Sequence, residues 1–373
     1  MHRTASGFKG PGAAGVPAAP VRLKDFAELG RRRRSSRLDV IGIHGGGSFL
    51  PRSLSFITPS GRITLGNYIG ALSHWRPTPG SVYAVADLHG ITTPWDPDTL
   101  RANTVEIASV LLALNLHAHD SLVFVQSHVS AHAEMAWLLE CIGRMGEFSR
   151  MTQFKAKGRG RQDVSVGLFT YPALMAGDIL LYDAEEVPVG EDQKQHVELT
   201  RDLALRVNHL FGPVFTVPEP VVPAVGARVR SLKNPLEKMS KSVKDEGTVL
   251  LLEDPDTIRR KFMAAVTDSG REVLYDPVEK PGISNLLEIE AALSGEPIEV
   301  LVERHRDGGY GAFKRAVAEV VIEATRPVRN RALAFKADEA ELLRVLDEGA
   351  EKARAVADRK VDQVMRAMGF LRR

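Results

Sequence analysis

SLSFITPSGRITLGNYIGALSHW, residues 53–75, reads as strand, turn and helix in immediate succession. SLSFIT is β-rich, PSGRITLGN is polar and carries Gly61 and Gly66, and NYIGALSHW returns to helical spacing. The alternation then repeats. SVYAVADL (81–88) and SLVFVQS (121–127) read as strands, and Pro97–Leu116 and AHAEMAWLLECIG (131–143) as helices. TYPALMAGDILLYDA (170–184) reads as a buried helix, EVPV (186–189) as a short strand and Glu191–Phe211 as an amphipathic helix. Strands alternating with helices of this length imply right-handed βαβ crossovers, so the fold class is α/β with a doubly wound parallel sheet.

Beyond about residue 250 strand signals fade and helical stretches follow one another: Asp256–Val266, Ile283–Ser294, Pro297–Arg306, Tyr310–Ala332 and Asp338–Met368. The expected organisation is a basic Gly/Pro/Arg-rich extension over 1–52, expected to be disordered, a catalytic α/β domain over 53–245 and an all-helical domain over 246–373. The extension carries net charge +7, against −5 for the rest, so the overall +2 gives no bulk argument for a polyanion partner. Hydrophobic residues make up 44% and charged residues 26% of the 373, which excludes collagen-like and wholly disordered chains. A single cysteine, Cys141, excludes an intramolecular disulfide and fits a reducing, cytoplasmic setting. No apolar run is long enough for a membrane helix, so no membrane partner is expected.

Two turns carry the chemistry. In a parallel α/β sheet ligands gather beyond the carboxyl ends of the strands, where Pro59–Asn67 lies. Gly61 and Gly66 leave room for close backbone approach, and Ser60, Thr64 and Asn67 offer short hydrogen-bonding groups. The second turn is Lys238-Met239-Ser240-Lys241-Ser242, on a segment bounded by Pro235 and Gly247 that should be mobile. Two ammonium groups at this spacing can close on a triphosphate and offset charge on departing pyrophosphate. A given pentapeptide is expected by chance in roughly one in ten thousand chains of this length. His128 and His132 stand four apart, but no Glu follows His128 and they straddle a strand end and a helix start, so no metal site is expected.

Together the turns resemble the two signatures of class I aminoacyl-tRNA synthetases, with Thr64-Leu65-Gly66-Asn67 in place of the usual His-x-Gly-His. That replacement is familiar in the tryptophanyl branch. TPSGRITLGNYIGAL (58–72), RMTQFKAK (150–157), VPVGEDQKQHVELTRDLA (187–204) and KPGISNLL (280–287) are similar to the same branch. The resemblance covers about Ser53 to Gly369 and implies a Rossmann-like catalytic domain with a helical tRNA-binding domain.

It implies an enzyme that joins L-tryptophan to tRNA(Trp) through Trp-AMP, consuming ATP as a homodimer, with Mg2+ held mainly through ATP phosphates. Asp178 would accept the indole N–H. Met175, Ile179, Val187 and Val189 would wall the ring, and Tyr171, Gln193 and His89 would complete the tryptophan site. For ATP the resemblance assigns Thr58, Pro59, Ser60, Gly66, Asn67, Gly190, Glu191, Asp192, Val229, Lys238, Met239, Ser240, Lys241 and Ser242. Lys238, Lys241 and Lys157, the last on a basic loop 155–161, with Thr64 and Asn67, would carry the catalysis. Where the branch commonly has Phe-Ser-Gly-Ile-Gln-Pro, this chain has Leu54-Ser55-Phe56-Ile57-Thr58-Pro59, which alters the expected walls of both sites. The alternatives are a tyrosyl-tRNA synthetase, with the same fold and turns, and a synthetase-like paralogue with impaired charging.

Overall fold

The computed structural model describes residues 53–158, 164–190, 193–221, 229–239 and 246–371, with the side chains of Lys157 and Gly158 excepted. The extension over 1–52 lies outside the described residues. Three strands, β1 (Leu54–Ile57), β2 (Val82–Val85) and β3 (Leu122–Val125), form a parallel ladder in the order β1-β2-β3. A second parallel pair, β4 (Glu186–Pro188) and β5 (Glu219–Val221), joins it through a parallel bridge between Ser53 and Glu186. The spatial order is therefore β3-β2-β1-β4-β5, and the direction of winding reverses between β1 and β4. That reversal leaves a crevice at the carboxyl ends of those two strands.

The helices are α1 (Leu65–Gly70), α2 (Asp87–Gly90), α3 (Pro97–Ala113), α4 (Ala131–Ile142), α5 (Met145–Phe148), α6 (Thr152–Gly158) and α7 (Val166–Leu180). They continue as α8 (Lys194–Phe211), α9 (Pro255–Met263), α10 (Pro281–Ser294), α11 (Ile298–His305), α12 (Gly309–Ala337) and α13 (Glu339–Ala367). Start signals sit where the sequence puts them: Asp96 and Asp254 each cap a helix that begins on proline, accepting from the N–H of Thr99 and Thr257 at 2.8 Å. The expected basic loop over 155–161 differs. Residues 152–158 are helical, because nothing before Gly158 breaks the helix and Phe154 packs edge-on to Phe169 of α7 at 5.0 Å.

Side-chain alternation splits the sheet into two apolar layers. Leu54, Val82, Ala84 and Phe124 face a core shared with α4, α7 and α8, while Tyr83, Val85, Val123 and Val125 face one built on Ile107, Leu111 and Leu112 of α3. Cover on both faces explains why β2, VYAV, is buried at every position. The last helix joins both layers: Leu342 and Leu346 of α13 enter the α3 side, and Ala350, Ala353 and Ala357 enter the other. It thus wraps the edge strand β3, and a third core gathers Leu65 and Ile69 of α1 with Val229, Met239 and α9–α12.

The closest approach of α13 to β3 is at Gly349, where an added Cβ would stand 2.0 Å from the Val123 carbonyl oxygen. Gly349→Ala must push a helix off backbone rather than off a flexible side chain, and we expect it to lower unfolding free energy by about 2–3 kcal/mol in urea titrations. Gly311→Ala, at an exposed position of α12 with no atom nearer than 3.9 Å, should be neutral or stabilising by up to about 1 kcal/mol.

Candidate functional site

The crevice between β1 and β4 opens into a cavity of about 430 Å³. Leu54, Ser55, Phe56 and Thr58 come from β1 and the turn after it, Val187, Pro188, Val189 and Gly190 from β4 and its exit, and Tyr171, Met175, Asp178 and Ile179 from one face of α7. Every residue expected around tryptophan lines it: Asp178, Tyr171, Met175, Ile179, Val187, Val189, Gln193 and His89. Residues 171, 175, 178 and 179 share that face because their spacings are three and four.

Asp178 is the chemical centre. It is 2% exposed, and its Oδ2 accepts from His89 Nε2 at 2.8 Å. Its Oδ1 accepts from Gln126 Nε2 at 2.6 Å and His132 Nδ1 at 2.7 Å. Burial alone would push this carboxyl up, but the hydrogen bonds from His132 and His89 outweigh it and hold the group below its ordinary value. Tyr171 is fixed by its hydroxyl on His196 Nε2, and its burial raises that hydroxyl well above the ordinary range.

Gln126, His132 and His196 are partners that sequence reasoning missed. One signal existed. His132 falls with Met135, Ala136 and Leu139 on the buried face of α4, where a histidine needs polar company. Both its ring nitrogens are engaged here, Nδ1 by Asp178 and Nε2 by the Tyr182 hydroxyl at 3.0 Å, whereas His128 turns toward Asp347 at 3.7 Å.

Of the residues expected at ATP, Thr58, Ser60 and Gly190 line the cavity, while Pro59 is held through its carbonyl by Asn103 Nδ2 at 3.2 Å. Thr64 and Asn67 form a reciprocal cap on α1: the Asn67 N–H donates to Thr64 Oγ1 at 3.1 Å, and Asn67 Oδ1 accepts from the Thr64 N–H at 3.1 Å and hydroxyl at 3.0 Å. With Oδ1 occupied, Asn67 has its Nδ2 donor left to offer an anion. An added Cβ at Gly66 would meet Met239 Cβ only at 3.4 Å, so core packing does not demand glycine there.

Residues 249–251, just past the segment that carries the second turn, are strapped to the first turn. Leu65 N donates to Val249 O and Leu251 N to Ile63 O, both at 2.8 Å. Lys238 is exposed and pairs with Arg230 in an antiparallel bridge, followed by Met239 N donating to Val229 O at 3.1 Å. Val229 and Met239, both expected at ATP, are buried in the third core. Lys157 sits on α6 with its side chain outside the described atoms. Glu191, Asp192, Ser240, Lys241 and Ser242 lie outside the described residues.

The Asp178 carboxyl is depressed from 3.8, so its stabilising contribution is complete above that pH and is lost as pH falls through its lower folded value. Asp178→Asn should therefore flatten the loss of stability between about pH 4 and pH 2 relative to wild type, measured by urea unfolding at each pH.

Residues 51–326 match the family model described as tRNA synthetases class I (W and Y). The chain is 50% identical to a tryptophan–tRNA ligase of Caldanaerobacter subterraneus subsp. tengcongensis over 87% of this chain and 100% of that protein. It is 48% identical to tryptophan–tRNA ligase 1 of Streptomyces coelicolor over 86% and 98%. Among solved structures, tryptophanyl-tRNA synthetase from Campylobacter jejuni complexed with ADP and tryptophan aligns with TM-score 0.75 and 33% identity, over 86% of this chain and all of that one. A cavity at the β1/β4 reversal and similarity at this level over nearly the whole described chain place the protein in the class I tRNA synthetases, on the bacterial tryptophanyl branch.

Proposed function

We propose that the cavity seats tryptophan with its indole N–H on Asp178, and that ATP lies between it and the two signature turns. The enzyme is a tryptophan–tRNA ligase: it activates L-tryptophan with ATP to Trp-AMP and pyrophosphate, then transfers tryptophan to tRNA(Trp). The observation that carries the site reading is one buried, anionic acceptor beside the apolar side chains of Met175, Ile179, Val187 and Val189. An indole is a large apolar ring with a single donor, whereas a phenol, as in the tyrosyl alternative, asks for more polar company. Tyr171, Gln193 and His89 complete the amino-acid side.

In the first step a tryptophan carboxylate oxygen attacks the α-phosphorus in line and the bond to pyrophosphate breaks. In the second, the terminal ribose hydroxyl of tRNA attacks the carbonyl carbon and AMP leaves. Neither step needs a covalent enzyme intermediate, so catalysis is positioning plus charge stabilisation. Lys238, Lys241 and Lys157 supply cationic charge, and Thr64 and Asn67 orient the phosphates. Thr58, Pro59, Ser60, Gly66, Gly190, Glu191, Asp192, Val229, Met239, Ser240 and Ser242 make up the remaining ATP contacts. Neutral hydroxyls and an amide on the phosphate side suit the waters of a magnesium ion bound through ATP. When bound, that ion adds positive charge on the phosphates.

Residues 53–245 act as the catalytic part and 246–373 as the tRNA-reading part. A homodimer is favoured by exposed apolar side chains on helices that pack together, Trp137 of α4, Met145 of α5 and Val166 of α7. Among the described residues no helix is long and apolar enough to cross a membrane, and the use of tRNA fits a cytoplasmic enzyme.

ATP–pyrophosphate exchange should respond to tryptophan and not to tyrosine, and charging of tRNA(Trp) should follow. Exchange without charging would favour the impaired paralogue. Lys238→Ala should slow exchange by about a hundredfold with little change in tryptophan KM. Because Leu54 and Phe56 both line the cavity, Leu54→Phe with Phe56→Gly should shift the tryptophan KM by about tenfold; identical values would remove these residues from the binding account.

A further inference from the structure

Behind Asp178 lies a second layer that does not touch the cavity. Of the three donors to its carboxylate only His89 lines the cavity; Gln126 and His132 approach from the core. His132 is completely buried, and its far nitrogen meets Tyr182, which is 3% exposed. The Tyr182 ring packs against Phe124 and His132 with centroids at 5.9 and 5.6 Å.

With His132 as a neutral imidazole, the protons in this chain take one order. A carboxylate cannot donate, so the hydrogen between His132 and Asp178 belongs to Nδ1. A neutral imidazole then has a bare Nε2, which must accept, and the Tyr182 hydroxyl donates to it. Burial, with the negative charges of Asp178 and Asp358, pushes that hydroxyl well above its ordinary value, so it keeps its proton. Tyr182 thereby fixes the tautomer of His132, and His132 fixes Oδ1 of Asp178. Oδ2, on the side of His89 and the cavity, has a lone pair left for a ligand.

We propose that His132 and Tyr182 are positioning residues for substrate specificity: they hold Asp178 from behind as an acceptor-only carboxylate, so that the site demands a ring carrying an N–H. The inference rests on the reading that Asp178 takes the indole N–H. If the carboxylate rotates or gains a proton, it can donate or turn away, and a ring without N–H is no longer penalised. A histidine that merely filled space would support all ligands alike.

The discriminating probe is β-(benzothiophen-3-yl)alanine, which keeps the shape of tryptophan and replaces N–H with sulfur. The quantity read is the ratio of kcat/KM for tryptophan to that for the sulfur analogue in ATP–pyrophosphate exchange. Wild type should favour tryptophan on the order of a hundredfold, because the analogue leaves a buried acceptor unpaired. Tyr182→Phe keeps the ring and should lower the ratio by about fivefold to tenfold. His132→Leu should lower it further, and His132→Asn, which keeps a donor near Nδ1, should recover part of the loss. If Asp178→Asn collapses the ratio while Tyr182→Phe and His132→Leu leave it at the wild-type value, the positioning role is overturned and the Asp178 reading stands. Should Asp178→Asn itself leave the ratio unchanged, the Asp178 reading falls and the positioning role falls with it. If His132→Leu does not fold, Tyr182→Phe alone decides.

Discussion

A buried negative charge organises this protein. Placing the Asp178 carboxylate at 2% exposure would cost several kcal/mol without compensation, and the fold gathers three donors from three separate elements to meet it. His89 comes from α2 after β2, Gln126 from the end of β3, and His132 from α4. These segments follow β2 and β3, and α7 brings Asp178 to meet them in the cavity that β1 and β4 also line. The electrostatic requirement of one side chain and the topology of the sheet thus fix the same point, and the cavity lies at it.

The turn Pro59–Asn67 and the base of the lysine-bearing turn obey a different constraint. They are held by backbone pairing. The stretch 63–65 pairs with 249–251, and 229–231 pairs with 237–239. Asn285 of α10 then grips Arg230 through both its backbone groups, Arg230 N to Oδ1 at 2.8 Å and Nδ2 to Arg230 O at 3.1 Å. The base of the lysine-bearing turn is thus tied to the helical part of the chain. The reciprocal cap of Thr64 and Asn67 also explains how that pair can replace two histidines. It satisfies the start of α1 while keeping an amide donor in hand.

The C-terminal helices are less separate from the sheet than their all-helical sequence suggests. Composition marks a change near residue 250, because strand signals stop there. Yet α12 and α13 complete both sheet layers, and Gly349 brings α13 against the backbone of β3. Periodicity reports that a helix has an apolar stripe but not which neighbour the stripe meets, so α13 reads simply as a long amphipathic helix.

By itself the sequence determined β1 to β4 and the longer helices, though not β5 or the short helices α2, α5 and α6, since period-2 and period-3.6 apolar patterns are local, and both signature turns, since Gly61, Gly66 and the 238–242 string are contiguous. It also placed Tyr171, Met175, Asp178 and Ile179 on one helical face. Only the tertiary structure decided that Gln126, His132 and Tyr182 share one hydrogen-bonded chain with Asp178. The reason is physical: local spacing fixes direction along one element, whereas a buried charge is satisfied by groups 46 and 52 residues away that only sheet winding brings within 2.7 Å.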